Sequence, residues 1–254
     1  MGRRAAPRGR LALGLTLAGL VLLPAAPGVR AAEVLDAGAR QATEEVIRDY
    51  LLKHPEVVEQ ALQVLEQRRR EAEKQRARDA VAAHREELLR DPGSPVGGNP
   101  RGDVTVVEFF DYRCGYCKGV AGTVRQLLEE DPGIRLVYKE FPILGDESLL
   151  AAGAALAARA QGRYGAFHDA LMAASGPWTL PVLLQVAARV GLDAGKLQAD
   201  MEAPEIHAAI ERNRALAEAL GITGTPAFVV GFELVPGALD LHALKALVSQ
   251  ARAR

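Results

Sequence analysis

The sequence predicts an α/β domain with a helical insertion, preceded by an α-helical arm. Three observations carry this. The β-branched and aromatic run Val104–Phe110 is followed by a helix-like stretch at 114–130 and a second strand-like run at 134–141. Residues from about 147 to 220 then read as helix throughout, and a short hairpin and a last helix close the chain. Ahead of all this, residues 33–90 carry apolar side chains at helical spacing and then a run of charge. At 254 residues and 49% hydrophobic, the chain can build two modest domains with a real core. Its 31 basic and 32 acidic residues leave no excess of either sign, so no nucleic-acid-binding surface is expected.

The N-terminus reads as a secretory signal over residues 1–31. Arg3, Arg4, Arg8 and Arg10 precede an apolar run at 11–23, Pro24 ends it, and Val29-Arg30-Ala31 supplies small residues for cleavage. The run is shorter than the ~18 residues of a membrane span, although an uncleaved anchor is the competing reading. No cysteine lies near the cut for a lipid. Export to the periplasm is therefore expected, in a compartment where disulfides persist.

The arm at 33–90 has Val46, Ile47, Tyr50, Leu51, Val57, Val58, Ala61, Leu62 and Leu65 at helical intervals. Pro55 suits a first helical position, so one helix ends near His54 and a longer one begins there. Residues 66–78 are nearly all Glu, Gln, Arg and Lys and bury little alone. Such a segment is either a solvated stalk or an oligomerisation arm, with Val58, Leu62 and Leu65 packing on their copies. A homo-oligomer is the expected partner state. Residues 91–103, rich in Pro and Gly, read as a linker. The domain at 104–254 then runs strand, helix, strand, a helical insertion at about 147–220, a hairpin over 227–230 and 232–235, and a final helix at 239–251. Strand–helix–strand order implies a parallel pair, and the whole describes a thioredoxin fold with an inserted helical subdomain.

The two cysteines, Cys114 and Cys117, stand three apart. A stapled domain needs more, and a structural zinc site needs a second ligand pair, whereas the five histidines are scattered. A local dithiol remains, with a static disulfide or half a metal site as the bland readings. At the start of a helix, unpaired N–H groups and the dipole favour a charged first sulfur, which lowers a thiol's pKa below its usual ~8.5. Cys114 is thus expected to be the exposed nucleophile. Cys117, one turn further in, is expected to resolve the mixed disulfide. The cofactor is then the Cys114–Cys117 disulfide itself, with no metal. Gly115 and Tyr116 add no charge between them. Glu108 is either a buried proton relay for Cys117 or a strand-edge carboxylate facing solvent. Thr225-Pro226 precedes the hairpin, and on base rates its bond is trans. His168 and Trp178 read as packing or surface residues.

Glu108-Phe-Phe-Asp-Tyr-Arg-Cys114-Gly-Tyr-Cys117 and Thr223-Gly-Thr-Pro226-Ala-Phe228 together resemble the DsbA-like branch of the thioredoxin superfamily, over about residues 101–254. Tyr138-Lys-Glu-Phe-Pro142 fits the same branch. The resemblance implies that Cys114 attacks, Cys117 resolves, Glu108 is the buried acid and Thr225-Pro226 forms a cis-proline loop that meets the substrate. Tyr116 stands where the prototype has a histidine, so its strongly oxidising potential does not carry over. The helical arm is similar to that of the ScsC-type, copper-tolerance-linked group, some of whose members are oligomeric isomerases. The expected partners are exported clients with thiols or disulfides and a membrane redox partner. The competing functions are a dithiol copper(I)-binding protein, since thiolates are soft ligands, and a scaffold whose dithiol is vestigial.

Overall fold

The structure, a computed structural model, describes residues 36–253. The signal-peptide reading of residues 1–31 lies outside the described residues. Among these, no helix is long and apolar enough to cross a membrane.

Contacts divide the chain into two units, one ending at Leu62 and one beginning at Gln63. In the first unit, helix α1 (Ala37–Lys53) starts at Asp36, whose carboxylate accepts the Ala39 N–H. The helix ends at His54, and α2 (Glu56–Ala83) begins one residue beyond Pro55. Val46, Ile47, Tyr50, Val58 and Leu62 are all exposed here. The helical arm is as expected from its spacing, and most of its apolar side chains face solvent, with Leu51 and Val57 half-buried.

The boundary, however, differs from the one expected near residue 100. Val81 near the end of α2 and Leu88 in α3 (Arg85–Arg90) are buried, packed with Val107, Val137, Leu216 and Val229. The expected linker at 91–103 contains strand β1 (Val96–Gly98), and the preceding turn is pinned by a charge inside the domain. Lys139 is buried, and its ammonium donates to Glu87 O at 2.8 Å, Ser94 Oγ at 2.7 Å and Asp91 Oδ2 at 3.3 Å. Arg159 donates to the carbonyls of Pro92 and Gly93. Proline and glycine here shape turns rather than free the chain. Composition alone could not distinguish these, because the anchoring cations lie 45 residues and more along the sequence.

The sheet has the order β1-β3-β2-β4-β5. Strands β2 (Val104–Phe110) and β3 (Ile134–Glu140) are parallel, with Glu108 opposite Tyr138. Helix α4 (Gly115–Glu130) makes their crossover. Strand β4 (Ala227–Val230) runs antiparallel to β2, and β5 (Glu233–Pro236) closes the hairpin at the edge. β2 is therefore central and buried along almost its full length, as its unbroken Val and Phe run requires. The insertion comprises α5 (Asp146–Ala157), a 3-10 turn at Ala158–Gln161, α6 (Tyr164–Ala173), α7 (Leu180–Arg189), α8 (Ala194–Met201) and α9 (Pro204–Ala219). α5 is almost wholly buried, and its alanines let neighbours approach closely. α10 (Leu241–Arg252) ends the fold, with Arg252 bonded to Asp103 and Asp131. This is the thioredoxin fold with a helical insertion that the element order predicts.

Removing one partner of a buried charged pair typically costs 3–5 kcal/mol. Lys139→Met should therefore destabilise the domain by about 3 kcal/mol, read as a lower urea midpoint, with faster amide exchange across residues 87–98.

Candidate active site

Cys114 is the N-cap of α4. Its backbone is extended, and its sulfur accepts the Cys117 N–H at 3.4 Å. On its other side the thiol donates to Thr225 O at 3.2 Å. The Thr225–Pro226 bond is cis, as the resemblance implies and against the base rate. The sulfur is thus held between a helix terminus and a loop from the other end of the chain. Both cysteines are free thiols. Cys114 is 7% exposed and Cys117 0%, so the order is as expected but Cys114 is less open than the sequence suggested. The Thr225 loop is what covers it. Burial pushes the Cys117 thiol far above its usual range, and the adjacent Cys114 sulfur adds to this.

The loop between β2 and α4 is organised by Asp111. One carboxylate oxygen accepts the Arg113 N–H at 2.7 Å and the Ser148 hydroxyl at 2.8 Å. The other accepts the Ile143 and Leu144 N–H groups at 2.9 and 3.1 Å. Its carbonyl accepts the Cys114 N–H at 3.1 Å. Sequence reasoning passed over Asp111, although an Asp at a strand's end just before a helix signals such a turn. It also missed the adjacent buried cluster. Tyr112 and Tyr164 hydroxyls donate to Glu140 Oε1 at 3.0 and 2.8 Å, and His168 Nδ1 lies 3.0 Å from the Tyr112 oxygen. Burial holds the Glu140 carboxyl well above its usual value and depresses His168 to about 3, so the ring is neutral. Trp178 Nε1 donates to Tyr112 O at 3.3 Å, and its ring lies under the Lys118 ammonium. His168 and Trp178 are packing residues, as read, but both are packed against the tyrosine that leads into the motif.

Glu108 is 3% exposed on the central strand, which removes the reading of a solvent-facing strand edge. Desolvation raises its carboxyl to about 8. It faces α4 and α6, where a small cavity is lined by Ala121, Val124 and Leu128. Cys117 falls on the same face of α4, one turn before Ala121. Tyr116, between the cysteines, is 76% exposed. Among the described residues, no group of three or more His, Cys, Asp or Glu is arranged to hold a metal ion.

A helix-capping dithiol facing a cis-proline loop on this fold defines a thioredoxin-fold protein with a redox-type C-x-x-C site. The comparisons narrow the class. Residues 105–249 match the family described as DSBA-like thioredoxin domain, and the chain belongs to that family. Residues 40–72 match the copper resistance protein ScsC N-terminal domain. A solved thioredoxin-like oxidoreductase from Silicibacter pomeroyi DSS-3 is 54% identical, covering 67% of this chain and 98% of its own, with a TM-score of 0.66. BcfH from Salmonella enterica Typhimurium is 31% identical over 85% of this chain and 96% of its own, at a TM-score of 0.72. Proteus mirabilis ScsC in a transitional conformation is 27% identical over 86% and 99%, at 0.64. Among curated proteins, a Na(+)/H(+) antiporter NhaA 1 from Salinispora arenicola is 35% identical over 159 residues, 61% of this chain. The chain spans about a quarter of the length of the curated relatives it matches.

A carboxyl that binds its proton more tightly folded than unfolded favours the fold at low pH. It loses that contribution as pH rises from the unfolded value, near 4.5, through the folded value of about 8. Glu108→Gln should therefore change thermal stability little at pH 5 and raise it at pH 9, by on the order of 3 kcal/mol. Calorimetry at the two pH values measures the difference.

Proposed function

We propose that this chain is a periplasmic thiol–disulfide oxidoreductase that exchanges disulfides in exported proteins, as oxidase or isomerase, through Cys114 and Cys117. The observation that carries the reading is the Cys114 sulfur held at 3.2 Å from the Thr225 carbonyl, beside the cis Pro226. A client strand laid along that loop brings its sulfur to Cys114 and no other.

In the isomerising direction the Cys114 thiolate attacks a client disulfide. One Cys114–client bond forms, the client S–S bond breaks, and the second client sulfur leaves as a thiolate. Cys117 then gives its proton to the Glu108 carboxylate and attacks Cys114. The internal disulfide forms and the client thiolate departs. If instead the freed client thiolate attacks another client disulfide, and the thiolate so released attacks the client sulfur bound to Cys114, a new client S–S bond forms, the Cys114–client bond breaks, and the client leaves isomerised with the dithiol kept. In the oxidising direction a client thiolate opens the Cys114–Cys117 disulfide, and Cys117 leaves with a proton from Glu108. The cycle needs an electron acceptor or donor at the membrane, which is the redox partner this reading requires. Thr225 and Pro226 bind the client backbone.

The arm supports an oligomer. Val46, Ile47, Tyr50, Val58 and Leu62 are exposed in one unit, and the ScsC N-terminal domain match covers residues 40–72. Several dithiols around one client favour isomerisation over a single oxidation.

The ScsC description also names copper resistance, which favours a second reading: a copper(I) ion shared by the two thiolates. Copper bound by the reduced protein and lost on alkylating both cysteines would support it. Binding unaffected by alkylation would exclude a dithiol site.

Cys114→Ser should abolish reduction of insulin and refolding of a scrambled protein. Cys117→Ser should instead accumulate a mixed disulfide with the client, visible on a non-reducing gel. Equal activity in the Cys114 variant would sink the mechanism. Removing residues 36–62 should yield a smaller assembly with isomerase activity reduced at least about tenfold while dithiol reduction of a small disulfide persists. Mass by light scattering alongside both assays checks this.

A further inference from the structure

Glu108 can serve turnover only if it exchanges its proton with solvent, and it is buried on the central strand. A cavity of about 90 Å³ meets it. Glu108, Tyr138, His168 and Met172 line its buried end, and the exposed Arg125 and Asp169 line its mouth. At ~30 Å³ per molecule this is room for about three waters. We propose that the cavity between α4 and α6 is the route by which Glu108 exchanges protons with solvent, and that Asp169 is the group at its mouth that carries them. The proposal rests on the relay role of Glu108 and assigns its outlet.

The other groups around the cavity do not fill that role. The charged and titratable side chains around Glu108 are Tyr138 opposite it on β3, Arg125 from α4, His168 and Asp169 from α6, and Glu140 two residues along β3, which is buried and does not line the cavity, while β4 presents the apolar Phe228. Tyr138 is held in its neutral form by burial, and its shift is upward. His168 stays neutral down to about pH 3. An arginine does not give up its proton. Asp169 is solvent-exposed, and partial desolvation raises its carboxyl against the pull of Arg125. It can therefore take a proton from a water in the cavity and release it outward. Each resolution step moves one proton from the Cys117 thiol to Glu108, along the waters to Asp169 and out, and the reverse path reloads Glu108 on oxidation. No electron leaves by this route. Asp169 acts through Glu108 and is a positioning residue in this sense, remote from the sulfurs.

The test is single-turnover oxidation of the full-length reduced protein by excess oxidised glutathione, quenched with acid and resolved by alkylation and mass. Wild type, Asp169→Asn, Asp169→Glu and Glu108→Gln are compared between pH 6 and 9 at two imidazole concentrations. In Asp169→Asn the resolution rate should fall about tenfold, rise with imidazole as the buffer replaces the missing carrier, and leave the reduction potential unchanged. Asp169→Glu should restore the rate. If Asp169→Asn resolves at the wild-type rate while Glu108→Gln is slow, the outlet is overturned and the relay stands. If Glu108→Gln is as fast as wild type, the relay fails and the outlet with it. A slow Asp169→Asn that ignores imidazole and is not restored by Asp169→Glu also overturns the outlet, because that pattern belongs to a packing role.

Discussion

The Cys114 sulfur is gripped from two sides, by the first turn of α4 and by the carbonyl of Thr225. Thr225 lies 111 residues after Cys114, so the site exists only when the sheet is complete. β2 delivers the cysteine and β4 follows the proline, and the two strands are neighbours. A slip of one residue between them would turn Glu108 from the α4 side to the other face of the sheet and move the carbonyl from the sulfur. The buried hydrophobic faces on both sides of the sheet hold that register.

A second constraint comes from burying so many polar groups close to the dithiol. Glu108, Asp111, Lys139, Glu140 and His168 are all buried within the domain. Each has been met differently. Asp111 is satisfied by backbone N–H groups and a serine. Lys139 is satisfied by carbonyl, hydroxyl and carboxylate oxygens. Burial raises the Glu140 carboxyl, whose Oε1 accepts from two tyrosines while its Oε2 has no hydrogen-bond partner among the described residues. Glu108 and the neutral His168 both line a cavity with an exposed acid at its rim, and of the two only Glu108 is a carboxyl. Asp111 and Lys139, with all their bonds made, fix the loop and the turn around the site, and Glu108 beside the cavity is left free to change its charge.

Most of the fold was legible because its signals are local. The Val and Phe run of β2, the asparagine-poor alanine helix α5, the hairpin and the spacing of Cys114 and Cys117 each follow from residues close in sequence. The placement of Glu108 on the central strand and of Cys114 and Cys117 at the start of α4 was legible for the same reason, while for the state of Pro226 only the family resemblance pointed to cis. Three features were not legible. The segment at 91–103 looked like a linker because its composition is that of turns, while its anchors, Lys139 and Arg159, lie far along the chain. The Tyr112, Glu140, Tyr164 and His168 cluster joins a loop, a strand and a helix, and each residue alone looks unremarkable. The cover over Cys114 is a tertiary contact, which the position of a cysteine at a helix start does not reveal.

Tyr116 stands out into solvent between the two sulfurs, and the cations either side of the motif are occupied. Arg113 is bonded to the Leu144 carbonyl and the Glu147 carboxylate, while Lys118 turns inward to the carbonyls of Leu171 and Ala174. The rim that a passing polypeptide first touches is therefore a phenol ring with little free charge. Long-range attraction plays a small part in such an encounter, and added salt has little to screen. Contact at that rim is made by an aromatic ring rather than by a charge.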